Sequence, residues 1–433
     1  MRGWKPCRSI WRRRTISRSI AIAWSCTVPA RTKQPVIPAR SRRKPGPRVP
    51  DSESGWLRIE VDSAALAQNI RTLRRSVSAD TAVMAVVKAN AYGHGLLLAA
   101  EAFIEGGADW LGVHSVDELH ALREGGIAAP VLVLGPATAA EVASAADLGA
   151  EFTVGSLAML RDLAELGSPV AIHLKVETGV NRQGITEAEL DSALAVIRAK
   201  NVLRLKGISS HFADIEDTTD HKFALAQMER FEGYRLRLAE AGYPGLFHHM
   251  SCSAATLLWD RTHRSVVRLG ISAYGIWPSR ETLVAVRQRG RQEVDLRTAM
   301  TWKVRIAQVR EVPAGETVGY GRAWKAMTDS RIAVLPVGYS DGWPRALGGR
   351  CHVLVDGKRA PLVGRICMNL CMVDVTHIPA AEAGHDAVLL GRQGDEEITA
   401  EMLAGHLGTI AYEVVTLPGS TWQRIPLPRE TED

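Results

Sequence analysis

One lysine in this sequence stands where an amine could do covalent chemistry. Residues 86–95 read VVKANAYGHG, so Lys88 directly follows two valines and precedes a tyrosine and two glycines. An isolated lysine at the end of an apolar strand is usually just solvated, but this tyrosine and these glycines suit a loop that closes on a ligand. Because a partly desolvated lysine amine forms a Schiff base with an aldehyde cofactor, Lys88 is a candidate for that chemistry.

Two arginines and a histidine stand at or near the ends of other apolar runs. Arg182 lies in the glycine-bracketed segment 179–184, GVNRQG, where a guanidinium could clamp a substrate carboxylate; a surface arginine in a loop is the plainer interpretation. Arg268 and His211 end or follow runs of strongly apolar character. A charged arginine in such a place needs a specific partner, whereas a histidine there is usually a satisfied core residue.

Small and aromatic residues at other turns add binding groups. Ser253 and the pair Gly270 and Ile271 follow late apolar runs, and hydroxyls and backbone N–H groups at such positions commonly bind phosphate. Further along the chain, glycine-flanked turns carry Tyr320, in VGYGRAW, and Tyr339, in GYSDGW. Tyrosines in turns are often only packing residues, but several of them beside a reactive lysine indicate a site.

The elements that must position these residues alternate between short apolar runs and amphipathic stretches. Amphipathic stretches such as Ser63–Val77, Val116–Glu124 and Glu187–Ala199 separate the runs. The runs predict strands at Leu57–Val61, Ala82–Ala89, Trp110–His114, Val131–Leu134, Phe152–Val154, Val170–Glu177, Leu205–Ser209, His249–Cys252 and Val266–Leu269. Such alternation favours parallel pairing with helical crossovers, and about eight units in roughly 220 residues match a closed (β/α)8 TIM barrel. An open doubly wound sheet would favour a glycine-rich turn after the first strand, where this chain has Val-Asp-Ser.

The pattern changes after Trp277. Turns rich in glycine, proline and aspartate separate short strands, which we predict at Val304–Val309, Arg331–Leu335, His352–Val355, Cys371–Val375 and Ala387–Leu390. One helix, Ala400–Leu407, interrupts them, and the whole is typical of a mostly β domain. The predicted domains are therefore a basic tail over residues 1–55, a barrel over 56–277 and a β-rich domain over 278–433.

Composition argues against several classes of partner. The chain has 433 residues and a net charge of +6, but residues 1–50 hold 14 basic residues and no acidic one, which leaves residues 51–433 with 39 basic and 47 acidic residues. An acidic body argues against nucleic acid as a partner. No apolar run approaches the roughly 18 residues of a membrane span, and the six cysteines form neither a disulfide framework nor a metal-binding pattern. We expect a cytoplasmic protein with reduced thiols, no metal and no membrane partner.

The tail over residues 1–55 is rich in arginine, serine and proline. Its short apolar stretch Ser19–Val28 follows an arginine-rich start, as in a signal peptide, but polar residues interrupt it and no cleavage site is obvious. The composition favours a disordered basic tail, or a start codon assigned too far upstream, over an export signal.

Together these segments resemble the alanine racemases. The motif VVKANAYGHG is highly specific, and the ordered set that follows it extends the resemblance from about Trp56 to about Pro428. The resemblance implies a pyridoxal-phosphate enzyme of fold type III with an N-terminal (β/α)8 barrel and a C-terminal β domain. It also implies a head-to-tail homodimer with shared active sites that interconverts L-alanine and D-alanine and supplies D-alanine for peptidoglycan.

The resemblance implies a role for each catalytic and cofactor-binding candidate. Lys88 corresponds to the lysine that binds the cofactor covalently, and Tyr320 to the opposing acid/base, which the partner subunit supplies. Arg268 corresponds to the arginine that faces the cofactor's pyridine nitrogen, with His211 between it and the tyrosine. The residues that correspond to the phosphate-binding set are Tyr92, Ser253, Gly270, Ile271 and Tyr412.

Other residues correspond to substrate-binding positions of the family. Arg182 and the backbone of Met368 match the substrate-carboxylate site. Lys175 matches a lysine that is carbamylated in many members, where the new negative charge positions the neighbouring arginine. The residues that match the wall of the access channel are Tyr339, Arg345 and Arg365.

One position departs from the family pattern. The usual Cys-Met-Asp reads Cys-Met-Asn at residues 367–369, so a charge is missing near the carboxylate site. Backbone binding by Met368 should survive, but a broader racemase that acts on serine or basic amino acids stays open. A barrel-type pyridoxal-phosphate decarboxylase is a further alternative, although it would not be expected to carry the VGYGRAW tyrosine. A non-catalytic pyridoxal-phosphate carrier would lack the β domain.

Overall fold

The computed structural model describes residues 55–216, 220–419 and 422–427. The basic tail predicted over residues 1–55, with its alternatives, therefore lies outside the described residues except for Gly55.

The first strand does not belong to the barrel. Strand β1 (Leu57–Val61) pairs antiparallel with the strand Met300–Arg305 and parallel with the strand Gln423–Pro426, so its prediction as a barrel strand is wrong. The sequence LRIEV alternates polar and apolar residues, and Ile59 and Val61 are the two that are buried. Such alternation marks a sheet with one solvated face, whereas parallel barrel strands are buried on both faces.

Eight parallel strands form a nearly closed barrel, as the sequence predicts. They are β2 (Ala82–Val86), β3 (Trp110–Val113), β4 (Val131–Val133), β5 (Ala150–Val154), β6 (Val170–Lys175), β7 (Leu203–Ser209), β8 (Phe247–His249) and β9 (Val266–Leu269). Neighbours follow chain order from β2 to β8, and β9 pairs with β2. Between β8 and β9 the barrel is held by two hydrogen bonds at the strand ends. Ser265 N, just before β9, donates to His248 O at 3.2 Å, and Arg268 N donates to Ser251 O, just after β8, at 3.0 Å.

Helices connect the barrel strands and cover their outer face. They are α1 (Ser63–Arg74), α2 (Lys88–Tyr92), α3 (Leu96–Glu105), α4 (Val116–Glu124), α5 (Ala139–Ser144), α6 (Leu157–Ala164), α7 (Leu190–Ala199), α8 (Lys222–Glu240), α9 (Ser253–Leu258) and α10 (Arg280–Gln288). Local sequence explains where several begin, since the Asp62 side chain caps α1 by accepting from Ala65 N at 2.8 Å. Asn69 then ties α1 to the rest of the chain by donating to the Ala273 and Arg297 carbonyls at 3.2 and 2.8 Å.

The second half of the described chain forms the predicted mostly β domain. Its elements are β10 (Met300–Arg305), β11 (Gln308–Val312), β12 (Thr317–Val318), β13 (Trp324–Lys325), β14 (Ser330–Leu335), β15 (His352–Val355), β16 (Lys358–Val363), β17 (Cys371–Asp374), β18 (Asp386–Gln393), β19 (Glu396–Ile398), α11 (Ala400–Leu407), α12 (Ala411–Thr416) and β20 (Gln423–Pro426). The main sheet runs β11-β14-β17-β16-β15-β18-β10-β1-β20. Trp302, Trp343 and Trp422 are fully buried in this domain. The boundary near residue 277 stays a prediction.

In the parts of the chain that the structure describes, every helix is too short or too polar to cross a bilayer.

Candidate active site

The carboxyl ends of the barrel strands surround a cavity of about 1100 Å³. Parallel barrels carry their functional residues at this end. The predicted site residues that line the cavity are Lys88, Tyr92, Lys175, Arg182, His211, Ser253, Arg268, Gly270, Ile271 and Tyr412. Because Tyr412 belongs to α12, the fold brings residues from both predicted domains to one cavity.

A strained turn holds Lys88 at the mouth of β2. The four residues after it, 89–92, all have φ between 50° and 55° although none is glycine. This left-handed conformation costs about 1–2 kcal/mol per residue, and such strain persists where the surroundings enforce it. Here the Glu118 carboxylate accepts from Ala89 N at 2.6 Å, and the Asn90 side chain accepts from Leu96 N at 2.8 Å.

The surroundings of Lys88 favour its neutral amine. Burial lowers the pKa of Lys88, and the positive charge of Arg182 lowers it further; Glu118 opposes this shift, and Arg268 adds a smaller lowering. A neutral amine is the nucleophilic and basic form of lysine. The direction of this shift is the one that the predicted chemistry of Lys88 requires.

Arg268 is buried in the barrel, with 8% of its surface exposed, and is held by hydrogen bonds on both terminal nitrogens. Nη1 donates to the His249 carbonyl and to His249 Nδ1, both at 2.8 Å. Nη2 donates to the Ser210 carbonyl at 2.8 Å and to His211 Nδ1 at 3.1 Å. The guanidinium is thus fixed in orientation and in contact with His211, the partner that the resemblance implies.

His211 is neutral in this arrangement. A guanidinium can only donate, so Nδ1 of His211 accepts from Arg268 and its proton lies on Nε2. Desolvation holds the pKa of His211 well below its ordinary value, and the charges of Arg268 and Arg182 add to that effect.

Hydroxyl and backbone groups lie close together at the carboxyl end of β9. Ser253 Oγ accepts from Gly270 N at 2.9 Å, and a Cβ atom at Gly270 would lie 2.7 Å from the Tyr92 hydroxyl. The absence of a side chain at Gly270 therefore keeps this concavity open. The helical turn that starts at Ile271 begins at the same point, and the first N–H groups of a turn lack partners within it. These groups fit a phosphate.

Tyr412 reaches the same concavity from the β domain. Its ring centroid lies 6.3 Å from that of Tyr92, and its hydroxyl donates to Glu216 at 3.0 Å. Burial, followed by the negative charge of Glu216, raises the pKa of Tyr412. The phenol therefore stays protonated, with its one O–H directed to Glu216 in this structure.

Lys175 lies among other cations of the cavity. Burial, then the charges of Arg268 and Arg182, lowers its pKa to about 8, while Glu177 acts in the opposite direction. Arg182 is exposed at the rim of the cavity, in the loop that follows β6. An appreciable fraction of Lys175 is therefore neutral near physiological pH.

The other predicted site residues lie on the surface of the β domain and do not line this cavity. The side chains of Tyr320, Tyr339 and Met368 are 72%, 44% and 57% exposed, and Arg345 and Arg365 are exposed as well.

Backbone contacts bring two of these surface turns together. Tyr339 N donates to Cys367 O at 3.1 Å, and Ser340 N donates to Met368 O at 3.0 Å. Asn369, at the position that departs from the family pattern, donates to Ser340 Oγ at 2.6 Å. The surface turns thus form a second group of candidates, separate from the cavity of the same chain.

Sequence reasoning missed three residues that support the site. Glu118 holds the turn after Lys88, and His249 holds Arg268. His94 stands within the VVKANAYGHG motif, and its Nδ1 lies 2.9 Å from the carbonyl oxygen of Tyr92, so it supports the strained turn. The motif itself was the signal for His94, whereas Glu118 and His249 reach the site only through the fold.

Comparisons with known proteins identify the family. The model of the alanine racemase N-terminal domain matches residues 61–278, and that of the alanine racemase C-terminal domain matches residues 299–426. The chain belongs to the alanine racemase family. It is 40% identical to the alanine racemase of Desulfosudis oleivorans over 377 residues, covering 84% of this chain and 94% of that one. It is 36% identical to the alanine racemase of Leptospira interrogans over 380 residues, covering 87% and 96%.

Solved structures of the family share the fold. The crystal structure of the Bacillus anthracis alanine racemase with bound L-Ala-P matches with a TM-score of 0.80 and 33% identity, covering 86% of this chain and 95% of that chain. The alanine racemase of Streptomyces lavendulae matches with a TM-score of 0.77 and 35% identity, covering 86% and 97%.

Proposed function

We propose that this chain is a pyridoxal-phosphate-dependent alanine racemase that moves the α-proton of alanine between two bases. The observation that carries the proposal is the joint presence, in one cavity, of the Lys88 amine with its lowered pKa, the buried Arg268 bonded to His211, and the concavity beside Gly270.

The residues of the cavity fit the cofactor that the family implies. The phosphate would be held by Tyr92, Ser253, Gly270, Ile271 and Tyr412. Lys88 would hold the aldehyde carbon and Arg268 would face the pyridine nitrogen. When bound, the cofactor supplies an electron sink for the α-carbon of the amino acid.

Two bases are needed because racemisation removes a proton from one face of a carbon and returns it on the other. Lys88 is the first base, and from the family we assign to it the proton of the D isomer. Tyr320 is the second base and takes the proton of the L isomer. In the shared site, the Nε2–H of His211, held by Arg268, would donate to the oxygen of Tyr320 and stabilise the negative charge that loss of its proton leaves there.

A second copy of the chain completes the site in this proposal. Tyr320 is exposed on the β domain and does not line the cavity of its own chain. A head-to-tail homodimer would bring the Tyr320 of one chain to the Lys88 of the other. Tyr339, Arg345 and Arg365 would line the access channel of that shared site.

The fixed charge of Arg268 would also limit side reactions. A guanidinium does not give up its proton, so Arg268 would not protonate the pyridine nitrogen of a bound cofactor. That would weaken the electron sink and disfavour transamination.

Arg182 and the backbone of Met368 would bind the substrate carboxylate, and Tyr412 and Tyr339 would narrow the pocket to a methyl side chain.

Lys175 is a candidate for carbamylation, since that reaction needs a neutral amine and the pKa of Lys175 is lowered to about 8. Asn369 keeps a broader substrate range open. D-alanine supply for peptidoglycan, a cytoplasmic location and a domain boundary near residue 277 are further parts of the proposal.

The test is interconversion of D-alanine and L-alanine by the purified protein with added pyridoxal phosphate. The reaction is measured as the loss of circular dichroism of the amino acid. A panel that includes serine, lysine and arginine measures substrate breadth, and carbon dioxide release tests the decarboxylase alternative. We expect alanine to be racemised fastest, with no carbon dioxide released. Absence of racemisation with every amino acid would refute the proposal.

A further inference from the structure

A line of four hydrogen-bonded side chains crosses the inside of the barrel. Arg268 Nη1 donates to His249 Nδ1 at 2.8 Å, His249 Nε2 lies 2.7 Å from His173 Nδ1, and His173 Nε2 is bonded to the Glu151 carboxylate. We call Arg268, His249, His173 and Glu151 the barrel relay. It links the cavity to the amino end of β5, where the Glu151 side chain is 21% exposed.

The chemistry of the relay fixes the position of every proton along it. Because a guanidinium only donates, His249 Nδ1 must accept and the proton of that ring must lie on Nε2. His249 therefore donates to His173 Nδ1, and His173 carries its own proton on Nε2. A carboxylate only accepts hydrogen bonds, so Glu151 accepts from His173 Nε2–H and ends the relay.

The barrel is shaped to admit this line of side chains. A Cβ atom at Gly207 in β7 would lie 2.4 Å from His173 Nδ1, so the absence of a side chain there makes room for the imidazole. The register of β6 with β7 also shifts between Ile172 and His173, an irregularity that redirects side chains. Phe247 stacks parallel to His173 with ring centroids 6.3 Å apart.

We propose that Glu151 is a positioning residue for the racemase reaction, acting through His173 and His249 to hold the orientation of Arg268 from the opposite end of the barrel. This inference rests on the proposed function. Without the Glu151 acceptor, His173 is free to take its Nδ1–H form. Its Nδ1–H would then face the Nε2–H of His249, and the two donors could not form a hydrogen bond. His249 would then lose the form that accepts from Arg268. In support, desolvation, followed by nearby His173 and Arg268, holds the pKa of His249 well below its ordinary value.

The first test is ¹⁵N NMR of histidine side chains in the full-length protein loaded with pyridoxal phosphate. We expect Nε2–H forms for His173 and His249 in the wild type. Glu151→Gln keeps an acceptor oxygen and should keep both forms, whereas Glu151→Leu should shift both residues toward mixtures. Fixed Nε2–H forms in the Glu151→Leu variant would overturn the proposal.

The second test is steady-state kinetics. We expect kcat to fall about tenfold in Glu151→Leu, the effect of one hydrogen bond of an ionised group, and to stay near the wild-type value in Glu151→Gln. Asp109→Leu is the matched control, because Asp109 is a half-buried carboxylate that accepts from Val83 N at 2.9 Å and contacts no relay residue by hydrogen bond. Equal losses in the Gln and Leu variants would contradict the role of the acceptor oxygen.

A double-variant experiment tests whether Glu151 acts through His173. His173→Leu interrupts the relay one residue nearer to Arg268, so adding Glu151→Leu to it should not lower kcat further. An additional tenfold loss in the double variant would show that Glu151 acts by another route. If the wild type racemises no amino acid, the proposed function is refuted, and the NMR experiment still decides whether Glu151 fixes the two histidines.

Discussion

The Nη2 atom of Arg268 lies 3.1 Å from Nδ1 of His211, and this contact determines which imidazole nitrogen carries a proton. With Nδ1 accepting, Nε2–H of His211 is the donor left for a further group in the site. In the proposed dimer, that N–H would donate to the Tyr320 oxygen of the second chain and hold it in position for proton transfer.

Arg268→Glu should change how the reaction partitions. The variant replaces a cation that keeps its proton by a carboxylate, so we expect more transamination and a fall in racemisation of about tenfold or more. The assay measures keto-acid formation from alanine beside racemisation. Arg261→Glu is the control, because Arg261 lies over the ring of Trp259 at 4.4 Å, away from the barrel relay. Unchanged partitioning would remove the argument that Arg268 limits the electron sink.

Lys88→Ala should lose both activity and the visible absorbance of the covalently bound cofactor. We expect a loss of activity of about 10³-fold, since the amine serves as acid/base as well as covalent partner. Absorbance spectra and racemase assays check both effects. Lys200→Ala is a suitable control, because Lys200 is a surface residue paired with Glu165 at 3.2 Å. Retention of the covalent absorbance in Lys88→Ala would contradict the assignment.

Tyr320→Phe should lower racemisation about 10³-fold while the cofactor stays bound. Tyr243→Phe, at a half-buried tyrosine outside the site, is the control.

Mixing the inactive Lys88→Ala and Tyr320→Phe proteins tests whether sites are shared. Random exchange of subunits should restore about a quarter of the wild-type activity, since half of the dimers would hold one intact site. No recovery despite proven exchange would contradict a site built from two chains.

Gly270→Ala should weaken cofactor binding about tenfold or more, since the new methyl group would lie 2.7 Å from the Tyr92 hydroxyl in the proposed phosphate site. Titration of the protein with pyridoxal phosphate measures the dissociation constant. Gly233→Ala in α8 is the matched control, because a Cβ atom there meets no neighbour within 4 Å. Equal affinities of the two variants would exclude the phosphate from this position.

The folded protein should become less stable as the pH is lowered, because of His94. Burial lowers the pKa of His94 to about 4, against the opposing effect of the hydrogen bonds that it makes to the Tyr92 and Ala91 carbonyls. In the unfolded chain the histidine pKa is about 6.5, so between that pH and pH 4 the unfolded chain binds more protons than the folded chain. The contribution of His94 to stability is therefore complete above about pH 6.5 and falls toward pH 4 by about 1.4 kcal/mol per pH unit.

Urea unfolding of the wild type, His94→Gln and His406→Gln over that pH window measures the effect. His406 is exposed on α11, so its variant should keep the wild-type pH dependence. We expect a shallower dependence only in His94→Gln. Parallel curves for all three proteins would show that another group causes the change.

The fold and most of the cavity could be predicted because their signals are local. A continuous apolar run followed by Lys88 and a glycine-rich loop lies within ten residues, and strand–helix alternation repeats along the chain. Leu57–Val61 was assigned to the wrong sheet because its neighbours, β10 and β20, are remote in sequence. Its alternating polarity, however, was already visible in LRIEV.

The barrel relay could not be predicted, because its four residues come from β5, β6, β8 and β9 and meet only inside the closed barrel. A lone histidine in an apolar strand is usually interpreted as a core residue. The left-handed turn over residues 89–92 had no signal either, since alanine and tyrosine disfavour that conformation. The contacts of Glu118, Asn90 and His94 account for it.

The position of β1 has a consequence for dividing the protein. Because β1 lies between β10 and β20 while α1, directly after it, is bonded to the last turn of the barrel, neither half can be excised intact. A fragment that begins after β1 would leave two strand edges unpaired in the middle of a sheet, and exposed edges of that kind recruit other chains. Shortened versions that start within the barrel should therefore aggregate rather than fold.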